Sequence, residues 1–191
     1  MMSFQKIIKK ILSLLLYQWR FKRFGKKSRI ESPLSIEGAK HIIVGERVLI
    51  KPKTWLACLP YTGESNPVLS IGDDSVIGNF NHIYATKSIV IEKSVLTADK
   101  VYISDNLHSY EDINTPIMNQ AIKQTAPVVI GEGSWLGENV AVIGASIGKH
   151  CVIGANAVVT KDIPDYSVAV GVPAKVIKSY NFETKQWEKV K

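Results

Sequence analysis

The sequence predicts an all-β solenoid, built from short strands stacked coil upon coil. Three observations carry that expectation. In the stretch IGDDSVIGNFNHIYATKSIVIEKSVLTADKV, residues 71–101, the aliphatic residues Ile71, Ile77, Ile83, Ile89, Val95 and Val101 recur every six positions. A helix repeats near 3.6 residues and a strand at 2, so six fits neither a long helix nor one continuous strand. Many intervening positions are polar (Asp73, Asn79, Lys93, Asp99), which points to a short strand, a corner and another short strand. The composition is 46% hydrophobic but only 8% aromatic, which suits aliphatic stacking over an aromatic-rich core. Third, glycine follows the aliphatic residue at Gly72, Gly78, Gly131, Gly137, Gly148 and Gly154, and glycine tolerates the backbone angles of a corner.

The chain of 191 residues is long enough for one sizeable domain. Its first element is basic. Residues 1–30 hold nine Lys or Arg and no Asp or Glu, and the rest of the chain holds 15 basic against 17 acidic residues, so the net +7 belongs to the N-terminus. Phe4, Ile8, Ile11, Leu15 and Trp19 fall at helical spacing there, predicting a basic amphipathic helix over 1–29. Its apolar stretch from Ile11 to Tyr17 is shorter than the roughly 20 residues a membrane span needs. YQWRFKRF, in place of small residues, follows that stretch, which argues against a signal peptide. Such a helix suits an anionic membrane surface, or packing on its own protein or a neighbouring subunit. No nucleic-acid fold signature follows it, and no nucleic-acid partner is expected.

The ladder then runs through Ile30, Ile36, Ile42 and Val48, breaks at the turn-rich LPYTGESNP (59–67), and continues from Ile71 to Val101. It resumes at Ile130, Leu136 and Val142, takes one step of five, and ends at Ile147, Ile153 and Val159. Repeats this short mean a β-helix, in which each rung buries little alone and stacking builds the column. A two-sheet sandwich would need sixteen ladder positions to be coincidence. The expected solenoid spans 30–178, with a protruding loop at 104–127 and a tail at 179–191.

That loop, within YISDNLHSYEDINTPIMNQAIKQTAP, is a long polar excursion from a regular solenoid, and such excursions tend to carry function. It holds His108, whose imidazole can take a proton near neutral pH. Asp105, Glu111 and Asp112 are each candidates to orient it, and the sequence does not choose between them. Cys58 and Cys151 form no disulfide framework and read as buried small residues, in keeping with a reducing cytosol. His41 and His150 read as solvated coil residues. With His82 and His108 they are isolated from one another, so no metal site is expected.

IGDDSVIG, IGEGSWLGENVAVIG and the closing GANAVVTKDIPDYSVAVGVPAK resemble the hexapeptide-repeat acyltransferase family, over roughly residues 30–178. The resemblance implies a left-handed parallel β-helix of three hexads per coil, a hand that departs from the usual crossover rule. It implies an acetyl-CoA-dependent acyltransferase in which DNLHSYED supplies the catalytic histidine, His108. The acceptor attacks the thioester directly, without an acyl-enzyme. Asn79, Asn81 and His82 become candidate contacts to the acceptor, and Trp135 matches an aromatic position near the family's active site. Gly144, Ala145 and Ser146 would leave room for the pantetheine arm, and Thr160, Lys161, Lys175 and Lys178 match donor-binding positions. The resemblance also implies a homotrimer with sites between subunits. The loop looks most like the sugar and capsule branch: O-acetylation of a sugar or lipid-linked glycan in bacterial surface polysaccharide assembly, in the cytoplasm or at the inner face of the membrane. N-acetylation of an amino-sugar or antibiotic competes within the enzyme class. A non-catalytic scaffold competes outside it, and a longer acyl group such as succinyl stays open.

Overall fold

A computed structural model describes residues 19–190. Three parallel sheets wrap one aliphatic column, and through the first four coils each strand pairs with the strand three places on. The first coil holds β1 (Arg23–Phe24), β2 (Arg29–Ile30) and β3 (Ser35–Glu37), one strand per sheet. The second holds β4 (Ile42–Val44), β5 (Leu49–Ile50) and β6 (Trp55–Cys58). The third holds β7 (Val68–Ile71), β8 (Val76–Ile77) and β9 (His82–Ala85), and the fourth β10 (Ser88–Ile91), β11 (Leu96–Thr97) and β12 (Tyr102–Ser104). An antiparallel hairpin, β13 (Asn106–His108) and β14 (Ile122–Gln124), then leaves the coil. The fifth coil holds β15 (Val128–Ile130), β16 (Trp135–Leu136) and β17 (Ala141–Ile143). The sixth holds β18 (Val152–Ile153) and β19 (Val158–Val159), with the first sheet reduced to bridges at Ile147 and Ile163. β20 (Ser167–Val170) is followed by β21 (Lys175–Asn181) and β22 (Gln186–Lys189), which extend the second sheet antiparallel.

The six-residue step has a simple origin. Corners from the first to the second sheet are four residues long as far as Cys151, and so are those from the second to the third. Two strand residues and four corner residues return an inward side chain to the same orientation. Ile71, Ile77 and Ile83 are fully buried in this way, one per sheet. Each such isoleucine contributes about 2–3 kcal/mol of burial.

The third corner breaks the pattern. It spans 38–41, 59–67, 86–87, 105–127, 144–146 and 160–162 in successive coils. Coil periods therefore vary. Arg23 pairs with Ile43, a period of 20; Leu69 with Ile89, again 20; Ile89 with Val128, 39; Trp135 with Val152, 17; and Val152 with Val168, 16. No coil keeps the 18 residues of three equal hexads. The ladder survives Ile83 to Ile89 only by changing column: Ile71 stacks on Ile91, and Ile89 stacks on Leu69.

Two other expectations change. Residues 1–18 of the expected helix lie outside the described residues. Within 19–29, β1 already pairs with β4, so the solenoid begins before residue 30. The expected tail is the β21–β22 hairpin, because the sequence keeps strand-forming residues past 178 and turns at 182–185. The corner glycines also serve a different purpose. Gly72, Gly78, Gly131, Gly137, Gly148 and Gly154 have no left-handed φ; the left-handed angles fall two residues later at Asp74, Phe80, Asn139, His150 and Asn156. A Cβ on Gly78 would run into the carbonyl of Ala98, and one on Gly131 into Gly148. Stacked coils approach too closely there for any side chain.

Candidate active site

All the long interruptions leave the same edge of the prism, where the third sheet turns to the first. Along it lie the 59–67 turn, Thr86–Lys87, the β13–β14 hairpin, Gly144–Ser146 and Thr160–Asp162. The structure thus brings together His108, the small-residue corner and Thr160 with Lys161, which are distant in sequence. His108 ends β13 opposite Ile122 and is exposed. Its imidazole makes no side-chain hydrogen bond or ion pair among the described residues, which leaves both ring nitrogens available to a substrate.

None of the three candidate carboxylates orients His108. Asp105 is fully buried and accepts from the backbone N–H of Thr86 (2.8 Å), Lys87 (2.8 Å) and Ser88 (2.7 Å). The Asn106 amide donates to it at 3.1 Å. Asp105 therefore anchors the hairpin to the coil below. Glu111 pairs with Lys123 at 2.5 Å, and this bond holds its carboxyl down at about 2. Asp112 closes a turn on the N–H of Asn114 (2.9 Å) and the hydroxyl of Thr115 (2.7 Å), which lowers its pKa.

The expected acceptor contacts are also redistributed. The Asn79 amide donates to Asp99 (3.0 Å) as a corner staple between coils. Asn81 lies two residues before Ile83, so strand alternation turns it inward. It is buried, donates to the Ala98 carbonyl (2.8 Å) and accepts from the Thr97 hydroxyl (2.8 Å). His82 points outward on the third sheet, stacked on Trp55 at 4.2 Å with Tyr102 at 5.3 Å on its other side. Burial lowers its pKa, opposed by Glu37. His82 Nε2 and Trp55 Nε1 are buried without a hydrogen-bond partner.

Trp135 is 45% exposed on the second sheet and is not brought to His108 within the chain. Lys175 and Lys178 sit on β21 in that same sheet, apart from Lys161. The closing motif groups them with Lys161, but the chain reverses after β20 and pairs them with that strand instead. Gly144 has φ 55° and lies against Thr125, so the room expected there is partly filled. The Ser146 N–H donates to Asp162 at 2.7 Å. A shallow groove lined at this edge by Val129, Ser146 and Asp162 crosses the first sheet over Ile147 and Ile163 and ends at the opposite corner among Glu92, Gly148, Lys149 and Asp165. Cys58 is buried, and burial pushes its thiol up to about 12. Among the described residues no group of three or more His, Cys, Asp or Glu is arranged to hold a metal ion, and no helix is long and apolar enough to cross a membrane.

Sequence reasoning missed the hydrogen-bonded base of the hairpin. Gln124 Nε2 donates to the Asp105 carbonyl (2.6 Å), and Gln124 Oε1 accepts from Thr62 Oγ1 (2.5 Å). Only the shared edge reveals that pairing, since 62 residues separate the two side chains.

Residues 127–161 match the hexapeptide repeat of succinyl-transferase. A protein of Escherichia coli named as a lipopolysaccharide biosynthesis O-acetyl transferase, WbbJ, is 41% identical over 129 residues, 64% of this chain and 66% of its own. A protein of Mycobacterium tuberculosis named as an acetyltransferase is 39% identical over 177 residues, 86% of this chain and 57% of its own. The chain thus spans less than two thirds of each relative's length. Among solved structures, AntD, an N-acyltransferase from Bacillus cereus in complex with dTDP and coenzyme A, superposes with a TM-score of 0.71. That match covers 96% of this chain and 92% of the other at 18% identity, a likeness of fold.

Proposed function

The chain belongs to the hexapeptide-repeat acyltransferase family, and from that premise we propose that it transfers the acetyl group of acetyl-CoA to a sugar hydroxyl. One observation carries this reading: the hairpin bearing an uncommitted His108 leaves the same edge as Gly144–Ser146 and Thr160–Lys161. In the proposed reaction His108 accepts the acceptor's hydroxyl proton as its oxygen attacks the thioester carbon. The tetrahedral intermediate collapses with cleavage of the C–S bond, and the proton passes to the departing CoA thiolate. No protein nucleophile is needed, in keeping with two buried cysteines.

The groove beside Ser146 and Asp162 suits an extended pantetheine arm, with Lys161 on the same edge for phosphate. Trp135, Lys175 and Lys178 lie on another sheet, so in this reading they serve a site completed by a neighbouring copy in a homotrimer. The relatives' names support acetyl transfer, and the Escherichia coli protein's name supports a surface glycan as acceptor. The basic residues 1–30 fit a lipid-linked acceptor at the cytoplasmic membrane face. The test is to incubate the protein and acetyl-CoA with methyl glycosides and with amino sugars, following thiol release. Transfer to hydroxyls is expected. Transfer confined to amines, the chemistry in AntD's name, replaces O-acetylation with N-acetylation, and CoA binding without transfer to either set removes the enzyme reading.

A further inference from the structure

The β13–β14 hairpin has a built clamp at its base, and its central residue lies two positions from His108 on the paired strand. Gln124 stands directly opposite Asn106, and His108 opposite Ile122. The Gln124 amide donates to the carbonyls of Asp105 (2.6 Å) and Thr125 (3.1 Å), one on each arm. Its oxygen accepts from Thr62 Oγ1 at 2.5 Å. The Thr86 hydroxyl stands 3.1 Å from both Gln124 Oε1 and Asp105 Oδ1, donating to one at a time. Thr62 belongs to the 59–67 turn, two coils below the hairpin, and Thr86 to the corner between them. One carboxamide thus ties together three successive corners of the edge that carries the candidate base.

We propose that Gln124, with Thr62 as its donor, is a positioning residue that holds His108 at its working place through the hairpin base. This rests on the reading of His108 as general base. Proton transfer needs the imidazole within hydrogen-bond reach of the acceptor hydroxyl, and a misplacement of about 1 Å costs up to roughly a hundredfold in rate. Thr62 sits in a surface turn outside the aliphatic column, so changing it spares the core. Thr62→Val keeps the shape and removes the donor, and Thr62→Ser restores it.

Two measurements on the full chain test the clamp. In amide hydrogen exchange, Thr62→Val accelerates exchange across residues 105–124 about tenfold, while the coil amides keep their native rates. In acetyl-CoA turnover with the methyl glycosides, Thr62→Val lowers kcat about tenfold and leaves the acetyl-CoA KM unchanged. Thr62→Ser returns both to native values. Unchanged exchange overturns the proposal, and so does faster exchange with an unchanged kcat. If the native chain acetylates none of the probes, the acyltransferase reading fails, and the exchange result still decides whether the clamp exists.

Discussion

His82 shows how a single side chain is constrained by its neighbours rather than by its motif. Its ring lies between Trp55 and Tyr102, with Tyr84 at 6.0 Å, and burial holds its pKa below 6.5. A histidine depressed on folding favours the native state above its unfolded pKa and loses that contribution as pH falls through the folded value. The melting temperature should therefore fall when pH is lowered from 7.5 to 5.5. His41 is depressed too and adds to the effect, so the comparison is with His82→Gln, whose fall over the same range should be smaller. An equal fall would show that His82 stays solvated. The cysteines give a second residue-scale prediction. With both thiols buried, Cys58 pushed up to about 12 and Cys151 raised, iodoacetamide at pH 8 should modify neither in the folded protein and leave acetyl transfer intact. Inactivation by alkylation would bring back a cysteine nucleophile.

The corner glycines make the case at the level of elements. Gly78→Ala drives a Cβ into the Ala98 carbonyl of the next coil, and this should cost about 1–3 kcal/mol of stability in urea unfolding. A neutral result would mean that the coils stand further apart than the structure places them. The position of these glycines was legible in the sequence, but their reason was not. Close approach between coils depends on stacking, which no local spacing reveals. The same holds for Asn81. Its parity with Ile83 marks it as inward, yet the motif NFNH invited a functional reading, and the interior polar pair with Thr97 appears only once the coils are superposed. A protruding loop at 104–127 was readable as a gap in the ladder. Its antiparallel pairing of Asn106–His108 with Ile122–Gln124 was not, because both strands are three residues long and carry no hairpin turn between them.

Over the whole molecule, length variation is concentrated at one edge. The other two corners hold four residues through most of the coils, so two faces of the prism stack almost without interruption. The third edge absorbs every insertion and gathers His108, Gly144–Ser146 and Thr160–Lys161. The sequence displayed the interruptions but not their common edge, because a coil period of 20 hides behind an unbroken six-residue step from Ile71 to Val101 and only the single step of five marks the shorter period of 17. It named His108 and left its orienting group open. The structure assigns Asp105, Glu111 and Asp112 to other work and places an amide, Gln124, at the hairpin base. The most direct measurement is the rate of CoA release from acetyl-CoA with an active glycoside acceptor, for the native chain and for His108→Ala. The account predicts a loss of about a hundredfold or more, with acetyl-CoA still bound and the fold intact. Undiminished transfer by the variant would contradict it.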